Sequence, residues 1–165
     1  MFIRKTTKSD IPAVMEIYAF AQGYMKDNNN PNQWGDVHPP QTLIEEDIKA
    51  GHSYVCVDEN KIVAVFYFNV ESDPTYSKID GSWLNDEPYG VVHRIARGPD
   101  AKGAGAFCLS WCFAQYPNIR IDTHRANVAM LKLLENLGFE YCGVIWLNLG
   151  DGRHEDDERV AFQKI

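Results

Sequence analysis

Hydrophobic positions along the chain recur with two periods, which predict helices and strands in alternation. Apolar side chains at helical spacing follow Ser9-Asp10-Ile11-Pro12, a helix start with a capping residue and an early proline. β-Branched and aromatic runs on both sides of Asp58-Glu59-Asn60 predict a hairpin. Thr42 is expected to cap the second helix, and Gly51 to end it. The predicted strands are residues 2–6, 53–57, 61–70, 89–97, 119–123, 141–149 and 159–164, and the predicted helices are residues 11–25, 43–50, 106–115 and 126–137.

The order of these elements, β-α-α-β-β-β-α-β-α-β-β, predicts the class of fold. Strands that alternate with helices in the second half favour a partly parallel sheet, and the hairpin adds antiparallel strands. We therefore expect an α/β (α+β) fold, with a mixed central sheet of about seven strands flanked by about four helices. The length of 165 residues suits one domain, which we take to be residues 1–165.

Charge and hydropathy narrow the classes of partner. Lys plus Arg number 16 and Asp plus Glu number 23, so the formal net charge is −7. Nucleic-acid binding depends on a basic patch, so we expect no nucleic-acid partner. The negative charge either serves solubility alone or mildly favours cationic small molecules through its field. No apolar run reaches the ~18 residues of a membrane span. The N-terminus also has no apolar signal-peptide region. We therefore expect no membrane partner and a cytoplasmic location.

The four cysteines indicate neither a metal site nor a disulfide framework. They include no C-x-x-C pair, and each lies in an apolar context. Such residues are typical of small core positions in a protein of a reducing cytoplasm, and we expect no metal. The residues concerned are Cys56, Cys108, Cys112 and Cys142.

A glycine-rich turn between a predicted strand and a predicted helix is the segment that points to a ligand. Residues 91–107 are VVHRIARGPDAKGAGAF. Unbonded N–H groups at a helix start carry partial positive charge, and glycines let the backbone approach an anion, so a diphosphate suits such a turn. The turn is neither a Walker loop nor G-x-G-x-x-G, and Gly-x-Gly at a helix start is also common as a purely structural feature.

A second motif follows this turn: IRIDTHRAN, then a leucine-rich helix, then Gly138-Phe139. In this combination the sequence resembles the GNAT superfamily, the acyl-coenzyme-A-dependent N-acetyltransferases. The family's diphosphate motif, [Q/R]-x-x-G-x-[G/A], falls on residues 100–105, and N-x-x-A-x-x-L-Y-x-x-x-G-F falls on residues 127–139. The opening IRKTTKSDI is similar to the family's first strand and helix, so the resemblance spans nearly the whole chain.

The resemblance implies an activity and a place for it. The activity is acetyl transfer from acetyl-CoA to a primary amine by direct attack in a ternary complex. The fourth and fifth strands of that family are splayed, and the pantetheine arm of coenzyme A lies in the gap; here these strands are residues 91–97 and 119–123. The acceptor is expected to be a small-molecule or peptide amine, with cationic amines favoured by the charge, and a homodimer is compatible with the family. The residues implied to bind coenzyme are Ile95, Ala96, Ala101, Lys102, Gly103, Ala104, Gly105, Ala106 and Asn127.

Direct attack needs a base that takes a proton from the amine, and histidine suits that task. His93 lies two residues before Ile95 and so shares its face of the strand, while His124 ends the next strand. A histidine on a strand is also commonly a hydrogen-bonded core residue. A backbone N–H near Ile95 is expected to polarise the thioester oxygen. Rival candidates for the base are Tyr89, Glu87 and Asp86.

Three residues depart from the family's pattern. Asp100 stands where Gln or Arg is usual, and Met130 replaces a small alanine. Leu134 replaces a tyrosine that protonates the leaving thiolate, so the general acid is open. Asp100 and Leu134 also permit a non-catalytic acyl-CoA-binding or sensing module with the same fold. A protein-interaction domain without a ligand is a third alternative.

Two segments are expected to select the acceptor. In residues 22–40, the side chains of Tyr24, Trp34 and His38 either line a pocket or pack the loop. The 148–158 loop carries clustered carboxylates that either attract a cationic amine or form a solvated turn. These carboxylates are Asp151, Glu155, Asp156, Asp157 and Glu158.

Overall fold

One sheet organises the chain in the computed structural model, which describes residues 1–147 and 157–165. The helices in these residues are α1 Ile11–Asp27, α2 Gln41–Ala50, α3 Ala104–Gln115 and α4 Val128–Asn136. The strands are β1 Phe2–Lys5, β2 Ser53–Asp58, β3 Lys61–Val70, β4 Asp80–Gly81, β5 Gly90–Arg97, β6 Ile119–Thr123, β7 Glu140–Trp146 and β8 Glu158–Lys164. Their order in the sheet is β1-β2-β3-β5-β6-β8-β7-β4.

The predicted mixed α/β fold is confirmed, with one strand more than expected. β4 is a two-residue strand that pairs with β7 inside a segment predicted to be irregular. Gly81 and Gly143 make this pairing feasible, because a Cβ on either residue would lie 2.1 Å from a carbonyl oxygen of the opposite strand. A strand this short depends on a close contact between distant residues and leaves no periodic signal in the sequence.

Three helices, α2, α3 and α4, begin at residues other than those predicted. α2 begins at Gln41 after Pro40, with no side-chain cap, so the expected cap by Thr42 is wrong. α3 begins at Ala104, two residues early, because Gly103 at φ +81° turns the chain into the helix. α4 begins at Val128, since the side chain of Asn127 accepts the N–H of Met130 and so caps the helix.

Two apolar clusters cover the two faces of the sheet. Alternating residues of β2 show the division, because Val55 packs with α1 and α2 while Cys56 packs with α3 and α4. All four cysteines are free and buried, as predicted for small core residues. Within the two described ranges, no helix combines the length and the apolarity needed to cross a bilayer.

β5 and β6 are parallel neighbours that separate after two residues. Gly90 pairs with Ile119 and Val91 with Arg120, although β5 continues to Arg97. On its other edge β5 stays paired with β3, and a bulge interrupts that ladder opposite Phe66. Arg94, in the bulge, has φ +51°, a left-handed conformation that bends the strand. The expected splay between these strands is therefore present beyond Val91.

Candidate active site

Two clefts adjoin at the gap between β5 and β6. The first, of about 300 Å³, lies between α1, the end of β5 and the starts of α3 and α4; we call it the glycine cleft, after Gly103 and Gly105 in its lining. The second, of about 190 Å³, lies over His93 and we call it the histidine pocket. The two clefts share part of their lining, so a ligand in one would touch a ligand in the other. The shared residues are Met25, Ile95, Asn127 and Met130.

The start of α3 presents peptide N–H groups to the glycine cleft. The N–H groups of Lys102 and Ala104 are bonded to carbonyl oxygens within the turn, at 3.0 and 3.2 Å. Three further N–H groups find no backbone or side-chain acceptor among the described residues, and all three residues line the cleft. These donors at a helix start form a place for an anion. They belong to Gly103, Gly105 and Ala106.

The residues expected to bind coenzyme divide into two groups. Ala101 and Ala104 are buried under the turn, Lys102 is exposed, and none of the three lines the glycine cleft. A Cβ on Gly105 would lie 3.0 Å from Leu133, so α3 and α4 pack closely beside the cleft. The expected residues that do line it are Ile95, Ala96, Gly103, Gly105, Ala106 and Asn127.

A phenol reaches the glycine cleft from an unexpected helix. Leu134 on α4 is fully buried in the core, so α4 presents no proton donor at the family's usual position. Tyr24 on α1 lines the cleft instead, with Phe20 and Ala21 on the same helical face. The spacing of these residues was visible in the sequence, but nothing local indicated which cleft the face would border.

His93 lies in the histidine pocket between two carboxylates. Its Nε2 is 2.6 Å from Oδ2 of Asp73, and its Nδ1 is 4.0 Å from Oδ1 of Asp122. A carboxylate accepts a hydrogen at Nε2, so the neutral ring is assigned as the Nε2–H tautomer. Its unprotonated nitrogen, Nδ1, then faces Asp122, which is also part of the pocket lining.

Asp73 is a site residue that the sequence analysis missed. Its Oδ1 accepts the N–H and the hydroxyl of Thr75, at 2.8 and 2.7 Å, while Oδ2 bonds His93. Burial raises the pKa of Asp73, but the hydrogen bonds from His93 and Thr75 outweigh it and bring the pKa to about 2. Asp73 is thus ionised at neutral pH and holds the imidazole in place. In the described part of the chain, no three His, Cys, Asp or Glu side chains are grouped to hold a metal ion.

The other predicted bases lie outside the lining of the histidine pocket. His124 is buried, and its Nδ1 accepts the N–H of Ala126 at 3.0 Å, which stabilises the turn between β6 and α4. The hydroxyl of Tyr89 accepts the N–H of Asp73 at 3.1 Å, so Tyr89 indirectly supports the dyad formed by Asp73 and His93. Asp86 and Glu87 are exposed.

A partly buried ion pair supports the strained bulge beside His93. Arg94 donates through Nε and Nη2 to Oδ2 of Asp47, at 3.0 and 2.8 Å. Its carbonyl accepts the hydroxyl of Tyr18 at 2.9 Å. Burial raises the pKa of Asp47, and the nearby charge of Arg94 offsets this only in part. Contacts on both the side chain and the backbone hold Arg94 in its left-handed conformation.

Residues 28–40 form one wall of the histidine pocket. Of the aromatic residues expected to select the acceptor, Trp34 and His38 line this pocket, whereas Tyr24 lines the glycine cleft. In the expected acidic loop, Asp151, Glu155 and Asp156 lie outside the described residues. Asp157 and Glu158 are described, but neither lines the pocket, and Glu158 pairs with Arg125.

Comparison of sequences gives limited matches. A scan against protein-family models finds no match. Among curated proteins, a cysteine–tRNA ligase from Wolbachia pipientis is 35% identical over 82 residues, which is 50% of this chain. The chain spans only 16% of the length of that protein.

Comparison of structures extends over the whole chain. A GNAT-family acetyltransferase from Streptococcus agalactiae is 28% identical and has a TM-score of 0.87, over 99% of this chain and 94% of that one. A GNAT-family acetyltransferase from Bacillus cereus is 18% identical with a TM-score of 0.65, over 99% and 95%. A GNAT-superfamily phosphinothricin acetyltransferase from Sinorhizobium meliloti, in complex with AcCoA, is 16% identical with a TM-score of 0.67, over 99% and 86%.

At 18% and 16% identity, the last two proteins show only a shared fold. The first is also similar in sequence, at 28% identity. The turn before α3 and the splay beyond Val91 occur where the sequence analysis expects them. The chain belongs to the GNAT superfamily of acetyltransferases.

Proposed function

We propose that this protein is an N-acetyltransferase that moves an acetyl group from acetyl-CoA to a primary amine by direct attack in a ternary complex. The observation that carries the proposal is the meeting of two chemically different clefts at the splayed strands. One cleft offers unbonded N–H groups at a helix start, and the other holds His93 between two carboxylates. Such a junction brings a bound anion-bearing carrier and a bound amine into contact.

The glycine cleft has the features that coenzyme A requires. The N–H groups of Gly103, Gly105 and Ala106 suit a diphosphate, because they are aligned with the positive end of α3. Phe20, Met130 and other apolar side chains suit a pantetheine arm. Beyond Val91 the edge of β5 that faces β6 has no ladder partner, so its backbone groups are open to the same arm. Acetyl-CoA would supply the acetyl group as a thioester.

In this proposal His93 is the general base. It accepts the proton of the incoming ammonium at Nδ1, while Asp73 keeps the Nε2–H and stabilises the imidazolium that forms. A backbone N–H near Ile95, which lines both clefts, polarises the acetyl carbonyl. Tyr24 is the phenol in the glycine cleft, and we assign to it the proton that the departing thiolate needs.

One pair of measurements tests the proposal. Calorimetry with acetyl-CoA is followed by CoA-release assays over polyamines, amino acids, aminoglycosides and peptides. We expect saturable binding and release with at least one class of amine. The His93→Gln variant should keep binding, since glutamine preserves a donor toward Asp73, but lose about 10²- to 10⁴-fold in release because it has no basic nitrogen.

The second candidate function is a non-catalytic acyl-CoA-binding or sensing module. It is favoured by the burial of Leu134, which leaves α4 without a proton donor at the family's usual position. Binding without CoA release over the whole panel would replace the enzyme proposal by this one. No binding of acetyl-CoA at all would overturn both.

A further inference from the structure

Thr123, the last residue of β6, carries a buried hydroxyl without a partner. The residue is 1% exposed, and its Oγ1 has no hydrogen-bond partner among the described residues. Buried hydroxyls are nearly always bonded, since burial removes their hydrogen bonds to water. An unsatisfied hydroxyl therefore marks either an energetic loss or a position reserved for something that binds there.

The location of Thr123 favours the second explanation. In the described residues two other buried side-chain atoms lack a partner, Oδ1 of Asn30 and Nε of Arg120, and neither residue lines a cleft at the active site. Thr123 does line the histidine pocket, together with His93 and Asp122. Thr6 shows how the same residue type is satisfied elsewhere, because its hydroxyl lies 2.7 Å from Oγ of Ser53 in a buried contact.

We propose that the hydroxyl of Thr123 selects the acceptor by binding an oxygen-bearing group close to its reacting amine. The inference rests on the proposed function, because it places the reacting nitrogen at His93. It names the acceptor class as compact primary amines with a hydroxyl or amide near the nitrogen, such as amino alcohols or amino acid amides.

The carboxylate of Asp122 makes the part of the histidine pocket next to Thr123 suitable for the ammonium of the acceptor. Asp122 precedes Thr123 directly, and its Oδ1 accepts the hydroxyl of Tyr76 at 2.7 Å and lies 4.0 Å from Nδ1 of His93. The carboxylate attracts the ammonium to the base, and Thr123 is one residue further along the strand. Side chains of consecutive strand residues point to opposite sides, but both residues line the histidine pocket, so an acceptor that meets both presents its nitrogen and its oxygen within that one small pocket.

The volume of the histidine pocket limits the size of the acceptor. Its volume of about 190 Å³ is smaller than the ~300 Å³ at the lower end for drug-sized ligands. A single compact acceptor, or the end of a longer one, fits this space. An unpaired hydroxyl in the wall of a small pocket discriminates strongly, since a ligand that lacks the matching group leaves it unbonded.

The test compares acceptors of similar shape that differ in polarity, and each kcat/KM is referred to the free-base concentration because the polar amines are the weaker bases. Ethanolamine is paired with propylamine, and glycinamide with isobutylamine, and kcat/KM for CoA release is measured for each. We expect the wild-type protein to favour the polar member of each pair by about tenfold or more. The Thr123→Val variant, which removes only the hydroxyl, should bring both ratios close to one by raising KM for the polar member. The Asp122→Asn variant should raise KM for both members alike.

A stability measurement separates recognition from structure. Because the hydroxyl is unpaired in the free protein, Thr123→Val should leave Tm unchanged or raise it, whereas Thr6→Val should lower Tm. A fall in Tm with Thr123→Val, like that with Thr6→Val, would show an internal partner and overturn the proposal. A retained preference in Thr123→Val, or equal kcat/KM for both members in the wild type, would overturn it while leaving the acetyltransferase intact. Absence of CoA release with every amine would instead remove the proposed function and this inference together.

Discussion

The side chains of Gln33 and Asn127 meet across 94 residues of sequence. Nδ2 of Asn127 donates to Oε1 of Gln33 at 3.0 Å, and Oδ1 of Asn127 accepts the N–H of Met130 at 3.2 Å. Asn127 lines both clefts, and Gln33 belongs to the wall of the histidine pocket. One amide therefore joins the wall of the proposed acceptor site to the helix start beside the proposed coenzyme site.

Removing the hydrogen bond between Gln33 and Asn127 should weaken binding of the acceptor amine and leave binding of the coenzyme unchanged. The Gln33→Met variant keeps the volume but loses the acceptor oxygen, and Asn127 still caps α4. We expect KM for the amine to rise several-fold while Kd for acetyl-CoA in calorimetry stays constant. Gln41→Met is the control, since Gln41 is exposed and bonds Glu45 of the same helix. An equal loss of acetyl-CoA affinity in Gln33→Met would contradict this separation.

A charge at the start of α3 should abolish coenzyme binding. Gly103→Glu places a carboxylate where the unbonded N–H groups are proposed to hold a diphosphate. Gly138→Glu is a matched control, because Gly103 and Gly138 have φ of +81° and +76°, and a Cβ added to either would meet no atom within 4 Å apart from those of its chain neighbours. Each substitution should cost about 1–2 kcal/mol of backbone strain. Only Gly103→Glu should lose acetyl-CoA binding in calorimetry; the same loss in Gly138→Glu would point to unfolding rather than to a site.

Removing the charge of Asp73 should slow acetyl transfer through the tautomer of His93. In Asp73→Asn the side-chain amide can donate to Nε2, which moves the ring proton to Nδ1 and removes the base. We expect kcat to fall by about 10²-fold or more, with a changed pH–rate profile and little change in the KM for either substrate. Asp58→Asn, at an exposed hairpin position, should behave as the wild type. An unaltered pH–rate profile in Asp73→Asn would remove the dyad from the mechanism.

The same carboxylate should make stability depend on pH in the acid range. Aspartate has an ordinary pKa of about 3.9, and in the folded protein the pKa of Asp73 is about 2. The stabilisation is complete above pH ~5 and is lost as the pH falls toward 2, because the unfolded chain takes up the proton first. Urea unfolding between pH 5 and 2.5 should show a shallower decline for Asp73→Asn than for the wild type. Parallel curves would contradict the low pKa.

The ion pair between Arg4 and Asp10 should also make the folded protein less stable as the pH falls. Hydrogen bonds from Arg4 to Asp10, at 2.7 and 2.9 Å, hold the pKa of Asp10 below its usual range. Its contribution is therefore present at neutral pH and lost on acidification. Asp10→Asn should flatten the acid limb of the stability curve without changing acetyl-CoA binding, because Asp10 lines neither cleft. A change in acetyl-CoA affinity would contradict this assignment.

Loss of the phenol on α1 should affect the rate and not the binding of coenzyme. Tyr24→Phe keeps the ring that lines the glycine cleft and removes only its hydroxyl. If Tyr24 protonates the thiolate, kcat falls while Kd for acetyl-CoA is retained. Tyr141→Phe, at an exposed position of β7, is the control. Full activity in Tyr24→Phe would assign that proton to water.

Local sequence patterns were sufficient for most elements of the fold. Helical and strand periods depend on neighbouring residues, so α1, α3 and the β2–β3 hairpin could be predicted from short windows. The glycine-rich turn was also predictable, because the conformation of Gly103 and the unbonded N–H groups after it are properties of a few consecutive residues. The resemblance to the GNAT superfamily added the expected splay of β5 and β6, which no local pattern contains.

Only the tertiary structure decided which side chains share a site. Asp73 stands in what the sequence shows as an ordinary turn, and its contact with His93 exists because that turn folds back onto β5. His124 has the same chemistry as His93 but bonds its own turn, and Tyr24 faces the glycine cleft because of how α1 packs. These outcomes depend on distances between residues far apart in the chain. Periodicity shows that a side chain faces the interior of the fold, but packing alone determines what it meets there.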